Sequence, residues 1–301
     1  MRIYTVTLNP AYDIHVDAAE LMLRHENLAA VRSREAGGKG VNISRALHSA
    51  GVRNTAIIVL GTENGGEFRR ALTELDCLYF ERPGRIRENL TIHTADGRET
   101  RISFTGFSVD ASILTEIAKV IQADSDTVVT FTGRVPDGVP LEAAKLFLLD
   151  LKARGAKIVL DSKSFALEDI CQVRPWLVKP NQEEIGAFFG CGVETMAQAA
   201  ERAGEFAACG VENVMVSMGE QGALLLSGGR LYTAVPPEIR AVSTIGAGDS
   251  SLAGFLAAFA AGEGAEGCLC SAVAFGTAAC LTEGSQPPRQ ADIRQIREQI
   301  R

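Results

Sequence analysis

The sequence predicts an α/β protein: a mostly parallel central sheet covered by helices on both faces, with a second, smaller sheet projecting from it. Three observations lead there. Short runs rich in β-branched and aliphatic residues alternate with amphipathic runs of helical period through most of the chain. Parallel strands need crossover connections, and the amphipathic runs supply them. Two polar, extended stretches then break the alternation, at about 12–35 and about 87–107.

In chain order, the predicted strands are RIYTVTL (2–8), TAIIVLG (55–61), TVVTFTG (127–133), AKIVLDS (156–162), WLVKPN (176–181), NVMVSMG (213–219) and GALLLSG (222–228). Between several of them lie helix-period segments: VNISRALHSAGV (41–52), GEFRRALTEL (66–75), PLEAAKLFLLDLKARG (140–155) and VETMAQAAERAGEFAACGV (193–211). Two or three further helices are expected in the last hundred residues. The stretch at 87–107 contains ADGRE, an Asp-Gly turn between alternating residues, which is a strong local hairpin signal. Both polar stretches therefore read as strands of a small sheet, a lid over a site at the edge of the main one. With no linker, repeat or low-complexity segment, residues 1–301 are expected to form one domain carrying this lid.

Composition narrows the function classes. The chain is 46% hydrophobic and 22% charged, ordinary for a globular protein, and 301 residues can bury one large core or two modest ones. Its 37 acidic residues outnumber 30 basic ones, a net charge of −7, which argues against nucleic acid as a partner. Any anionic ligand must be caught by local devices. The start, MRIYTVTLNP, lacks the basic and apolar regions of a signal peptide, and the apolar windows are too short to span a bilayer. A cytoplasmic protein with no membrane partner is the expectation. The seven cysteines are an odd, scattered set; Cys268 and Cys270 lack the second pair or histidines of a zinc site, so reduced thiols are expected.

Five stretches could carry chemistry. In TIGAGDSSLAGF (244–255), Gly246, Ala247 and Gly248 open a helix whose first amides and dipole suit an anion. Asp249 behind them is either a helix cap or a general base taking a proton from an alcohol during phosphoryl transfer. In EAGGKGVNISRAL (35–47), Gly37, Gly38 and Gly40 surround Lys39, with Asn42 on the first helical turn; this many glycines favours close approach of a ligand. In TLNPAYDIHV, Asp13 follows the first strand and a Pro-containing turn, where it would face the usual ligand crevice and suit sugar hydroxyls. In KPNQEE, Lys179 and Asn181 follow a strand and Glu184 lies three residues on; oxygen ligands there suit Mg²⁺ through water, and a helix start accounts for them nearly as well. In VSMGEQGALLL, Ser217, Gly219 and Gly222 form a turn between strands, which either contacts a nucleotide or simply needs its glycines. The dinucleotide signature G-x-G-x-x-G fails, because its third glycine is Ser251 and it lies far from the first strand.

Taken in this order, AGGKGVNISRAL and STIGAGDSSLAGF resemble the two glycine signatures of the PfkB-type carbohydrate kinases of the ribokinase superfamily. TLNPAYD, IRENLTIH, TGRVPDGVP, LDSKSFAL and VKPNQEE resemble its hexose-phosphate branch, along essentially the whole chain. The resemblance implies a ribokinase-like fold, a three-layer sandwich with a small β lid. It implies ATP and Mg²⁺, and transfer of the γ-phosphate to a sugar hydroxyl, with fructose 1-phosphate foremost and tagatose 6-phosphate or fructose 6-phosphate as near relatives. It assigns Asp249 as base and the amides of Gly246, Ala247 and Gly248 as anion hole. Asp13, Gly37, Gly38, Lys39 and Asn42 would meet the sugar, and Arg87 its existing phosphate. Lys179, Asn181, Ser217, Gly219 and Gly222 would lie along ATP, with Glu184 acting on Mg²⁺ through water. A homodimer through the lid is also implied. The chain departs from the branch at Ala29, where an arginine is usual, at Thr91 in place of a lysine, and at Arg134 in place of a small hydroxyl residue; Arg134 would compensate by binding phosphate in a fork. A kinase for an unphosphorylated sugar or nucleoside, and a non-catalytic sensor on the same fold, remain open alternatives at this point.

Overall fold

The computed structural model describes all of residues 1–301. The chain opens with β1 (Arg2–Thr7), leaves for a small sheet through β2 (Ala11–Ala18) and β3 (Ala29–Gly37), and returns through α1 (Lys39–Ser49) to β4 (Thr55–Gly61). Then come α2 (Gly65–Arg70), β5 (Cys77–Arg82) and a second excursion, β6 (Arg87–Thr94) and β7 (Glu99–Ile102). Helices and strands alternate from there: α3 (Ser112–Val120), β8 (Thr127–Thr132), α4 (Leu141–Ala153), β9 (Lys157–Asp161), α5 (Leu167–Val173) and β10 (Leu177–Val178). Two helices, α6 (Gln182–Phe189) and α7 (Met196–Ala208), lead to β11 (Asn213–Ser217) and the hairpin β12 (Ala223–Ser227) and β13 (Arg230–Ala234). The chain closes with α8 (Ala247–Ala260), α9 (Ala265–Ala279) and α10 (Gln290–Arg297).

The main sheet runs β13-β12-β11-β10-β9-β8-β1-β4-β5, parallel except for β12, which is antiparallel to both its neighbours β11 and β13. The order reverses between β1 and β8, so a crevice opens at the carboxyl ends of these central strands. Alternation along each strand feeds two cores. In β9, Ile158 and Leu160 face the layer built from α3 to α7, while Val159 faces α1, α8, α9 and α10. Burial on both faces is why these strands read as continuous apolar runs.

The small sheet runs β3-β2-β6-β7, with β2 and β6 parallel. Tyr12, Ile14 and Val16 join apolar clusters on one face, which puts Asp13, His15 and Asp17 on the other. On that second face Asp13, His15, Asn89 and Thr91 are all buried. A buried polar face is unusual unless it is partnered, and here it looks toward the crevice and the loop after α9.

Several elements differ from the sequence expectation. β5 and β13 are edge strands, and their mixed polar and apolar residues lack the continuous apolar signature. WLVKPN contributes only Leu177–Val178, because Pro180 has no N–H and Asn181 already caps α6. α3, α5 and α6 are helices where the sequence analysis gives none, apart from the helix start it weighs at Asn181. Reduced thiols throughout are corrected too: Cys171 at the end of α5 and Cys209 capping α7 are bonded, with sulfurs 2.11 Å apart. No helix is long and apolar enough to cross a membrane.

Candidate active site

The connections after β1, β3, β8, β9, β10, β11 and β13 converge on one cleft of about 2210 Å³ at the carboxyl ends of the central strands, beneath the small sheet. Its deepest part is the start of α8. Gly246 holds a left-handed conformation, φ 75°, and turns the chain into the helix. The amides of Gly246, Gly248 and Asp249 find no acceptor within the chain, whereas Ala247 donates to Thr244 O at 3.3 Å. Of the three amides expected to face an anion, that of Ala247 is therefore engaged, and Asp249's own amide stands in its place. Helix α8 is fixed against α9 by Gly254, where a Cβ would sit 2.5 Å from Ser271 O.

Asp249 does not cap the helix: no side chain does so at this N-terminus. Its carboxylate is buried, and Oδ2 accepts from Asn42 Nδ2 at 2.8 Å. Burial pushes its pKa up to about 6, against the pull of Lys39; Asp161 adds to the rise, and the Asn42 hydrogen bond and Lys179 oppose it. A carboxyl group so poised can take up a proton close to neutral pH.

Two lysines and an aspartate surround this turn. Lys39 Nζ, from the first residue of α1, lies 2.6 Å from Asp161 Oδ1 at the end of β9. Lys179 Nζ lies 3.3 Å from Asp161 Oδ2, an ion-pair distance without hydrogen-bond alignment. Burial works to raise the Asp161 pKa, but the two ammoniums outweigh it and keep the group ionised. Burial likewise opposes the Lys39 charge, and Asp161 and then Asp249 hold its pKa above the ordinary lysine value. Lys179 also abuts the α8 turn: a Cβ on Gly248 would come within 3.4 Å of its Nζ.

Toward the small sheet, Asp13 sits on β2 rather than at the end of a main-sheet strand, but still lines the cleft. Its Oδ1 accepts from Asn89 Nδ2 at 3.0 Å and from Arg101 at 3.1 Å. Gly37 does not line the cleft. A Cβ there would lie 2.3 Å from Asp13 Oδ2, so this glycine makes room for the carboxylate. Gly38 does line the cleft, at φ 118°, and Gly40 lets α1 approach β1, since a Cβ would meet Thr7 Oγ1 at 2.3 Å.

Three arginines edge this end. Arg87 is held by backbone carbonyls, Phe104 O at 2.8 Å and Asn9 O at 3.3 Å. Arg101 pairs with Asp13, and Arg134 stands 3.5 Å from Asp137. Burial lowers the Arg87 pKa; Asp13 opposes this, while Arg101 and Arg134 add to it, which marks the three guanidiniums as neighbours. Ala29 and Thr91 lie off the cleft lining, so their departures from the branch pattern fall outside it. Arg101 and Asn89 escaped the sequence analysis. The available signal was the period of two through RENLTIH, which puts Asn89 on the face of Arg87.

At the other end, Asn181 and Glu184 form a reciprocal capping box on α6, with Glu184 N to Asn181 Oδ1 at 2.7 Å and Asn181 N to Glu184 Oε2 at 3.0 Å. Both line the cleft all the same. Asn181 bridges to Ser217, and a single 3₁₀ turn joins that residue to Gly222. Gly219 and Gly222 are left-handed, and a Cβ on Gly222 would collide with Ala234 O at 2.1 Å.

Comparison with known proteins decides the family. The model of the pfkB family carbohydrate kinases matches residues 7–292. The chain belongs to that family. It is 31% identical over 262 residues to the 1-phosphofructokinase of Escherichia coli K12, covering 85% of this chain and 83% of that one. Its identity to the 1-phosphofructokinase of Bacillus subtilis is also 31%, over 258 residues, covering 85% and 84%. The phosphofructokinase-2 of Escherichia coli, solved with substrates and products, superposes with a TM-score of 0.91 at 27% identity, covering 99% of each chain. A ribokinase of Arabidopsis thaliana with ribose and ATP superposes at 0.77 and 19%, a likeness of fold. The architecture is thus ribokinase-like, and the protein is an ATP-dependent carbohydrate kinase.

Proposed function

We propose that this kinase phosphorylates a hexose phosphate, with fructose 1-phosphate as acceptor and fructose 1,6-bisphosphate as product. The observation carrying the proposal is one cleft that holds a buried carboxylate poised near pH 6 between free helix amides and a cluster of three arginines. Similarity to 1-phosphofructokinases at 31% identity favours this acceptor over tagatose 6-phosphate or fructose 6-phosphate.

In this account Asp13, with Asn89 and Gly38, receives the sugar hydroxyls, and Arg87, Arg101 and Arg134 hold the existing phosphate in charge-assisted hydrogen bonds. Asn42 orients Asp249 through its 2.8 Å hydrogen bond. Asp249 takes the hydroxyl proton as the sugar oxygen attacks the γ-phosphorus. The bond from that phosphorus to the β–γ bridging oxygen breaks, and ADP leaves with the electron pair. The amides of Gly246, Gly248 and Asp249, with Lys39 and Lys179, take up charge on the transferring oxygens. Asn181, Ser217, Gly219 and Gly222 lie along the nucleotide.

A hard cation fits the donor set at the cleft edge. Glu184 Oε2 is used by the cap, while Oε1 has only Lys163 at 3.5 Å, leaving an oxygen able to hold Mg²⁺ through water. When bound there, Mg²⁺ would neutralise phosphate charge on ATP. We also read the lid as the contact between two copies of the chain, supported by Leu28, Val31 and Phe104, which are exposed on or beside its strands; sedimentation at micromolar concentration tests this. An ATP-dependent enzyme works where ATP is, so the cytoplasm belongs to the same proposal. Phosphorus NMR of the product tests the whole: fructose 1,6-bisphosphate supports it, and absence of a new phosphate ester overturns it.

A further inference from the structure

The phosphoryl-transfer account leaves one buried polar cluster unused. On the cleft-facing side of the lid, His15 Nδ1 lies 2.9 Å from His93 Nε2, and His93 Nδ1 lies 3.1 Å from Glu99. The carboxylate can only accept, so His93 carries its proton on Nδ1 and accepts at Nε2. His15 must then donate from Nδ1, which leaves a bare lone pair at its Nε2. That atom is buried and has no hydrogen-bond partner. It points at Gly284: a Cβ there would lie 3.2 Å from His15 Nε2 and 3.6 Å from Glu35 Oε2. Two acceptors therefore converge on one spot.

Glu35, on β3, is committed elsewhere. Its Oε2 accepts from Ser285 Oγ at 3.2 Å and its Oε1 from Gln286 Nε2 at 3.1 Å. Both partners belong to the loop after α9. That loop in turn backs the anion-facing turn, because a Cβ on Gly246 would touch Ser285 Cα at 3.4 Å. A continuous path runs from Glu99 and the two histidines, through Glu35 and Ser285, to Gly246.

We propose that Glu35 and His15 are positioning residues for phosphoryl transfer. Glu35 clamps the loop that holds Gly246 in place, and His15 leaves that clamp intact only while its Nε2 is unprotonated. A proton on Nε2 would turn the spot from two acceptors into an ion pair, drawing Glu35 Oε2 off Ser285 and loosening the support of Gly246. The charged and titratable groups facing His15 are His93 from β6, Glu99 from β7, Glu35 from β3 and Asp13 from its own strand. The loop presents Gly284 and Ser285, neither of which titrates in this range. Burial, and then His93, hold the His15 pKa below the ordinary imidazole value, with Glu35, Asp13 and Glu99 opposing, so the ring is neutral at neutral pH.

This inference rests on the kinase mechanism above, and its test separates the two. With fructose 1-phosphate and ATP as probes, kcat and KM are measured from about pH 5 to about pH 8 for the wild type, Glu35→Gln and His15→Asn. An anion hole acts on the transition state, so Glu35→Gln should lower kcat about tenfold and leave KM for the sugar phosphate within about threefold. His15→Asn keeps an amide donor toward His93 and removes the Nε2 position. It should retain kcat at high pH and make the acid limb shallower, from about two protons to about one. An unchanged acid limb in His15→Asn, or a Glu35→Gln effect confined to KM, overturns the proposal. A wild type that makes no ADP defeats the substrate assignment alone, and histidine-ring NMR of the unmodified protein still decides. A non-hydrolysable ATP analogue should shift the His15 ring while the exposed His25 and His48 stay still; a stationary His15 overturns the proposal.

Discussion

Replacing Asp249 by Asn should separate catalysis from stability in opposite directions. The Asp249 carboxyl rises from an ordinary 3.8 to about 6, mainly because it is buried. At about 1.4 kcal/mol per pH unit, keeping it ionised at pH 7 costs the folded state about 3 kcal/mol. The sign follows from linkage: the unfolded chain releases this proton near pH 4 and the folded chain near pH 6, so the wild type loses stability across that window. Asparagine has the same shape, still accepts from Asn42, and carries no charge. Asp249→Asn should therefore unfold roughly 5 °C higher at pH 7, for a chain of this size, and the gain should vanish toward pH 4. Turnover should fall ~10²–10⁴-fold, the usual contribution of a general base. The acid limb of the residual activity should shrink from about two protons to about one, the one that His15 contributes. Calorimetry at several pH values and a coupled ADP assay measure both. Turnover within threefold of wild type, or lower stability at pH 7, would refute the assignment.

Other consequences follow from neighbouring residues. Arg134→Ser, which restores the small hydroxyl usual in the branch, should raise KM for a sugar phosphate about tenfold while leaving KM for ATP unchanged, the loss of one charge-assisted hydrogen bond. Steady-state kinetics against each substrate in turn checks this. Gly222→Ala places a Cβ 2.1 Å from Ala234 O at φ 96°, so it should raise KM for ATP and lower stability by about 1–3 kcal/mol. Denaturant unfolding reads the second effect independently of the first.

Much of this molecule was legible in its sequence, for physical reasons that differ by element. Central strands such as β1, β8 and β9 are buried on both faces and announce themselves as apolar runs; the edge strands β5 and β13 do not. Asp249 was legible because base and helix amides are consecutive in the chain. Asn89 and Arg101 were not, because they gain meaning only when β6 and β7 pair beside β2 and bring them to Asp13. Asp161 is likewise mute until Lys39 and Lys179 reach it from separate elements. Gly37 was legible as a glycine needed for close approach, but what approaches is the Asp13 carboxylate and not a ligand.

The central claim is that one cleft phosphorylates a sugar that already carries a phosphate. Its most direct test is kcat/KM for ADP release over fructose 1-phosphate, tagatose 6-phosphate, fructose 6-phosphate, free fructose and a nucleoside. The account predicts the highest value for fructose 1-phosphate, with the unphosphorylated acceptors at least about a hundredfold lower, the weight of two or more guanidinium contacts. Equal or faster turnover of free fructose or the nucleoside would contradict it.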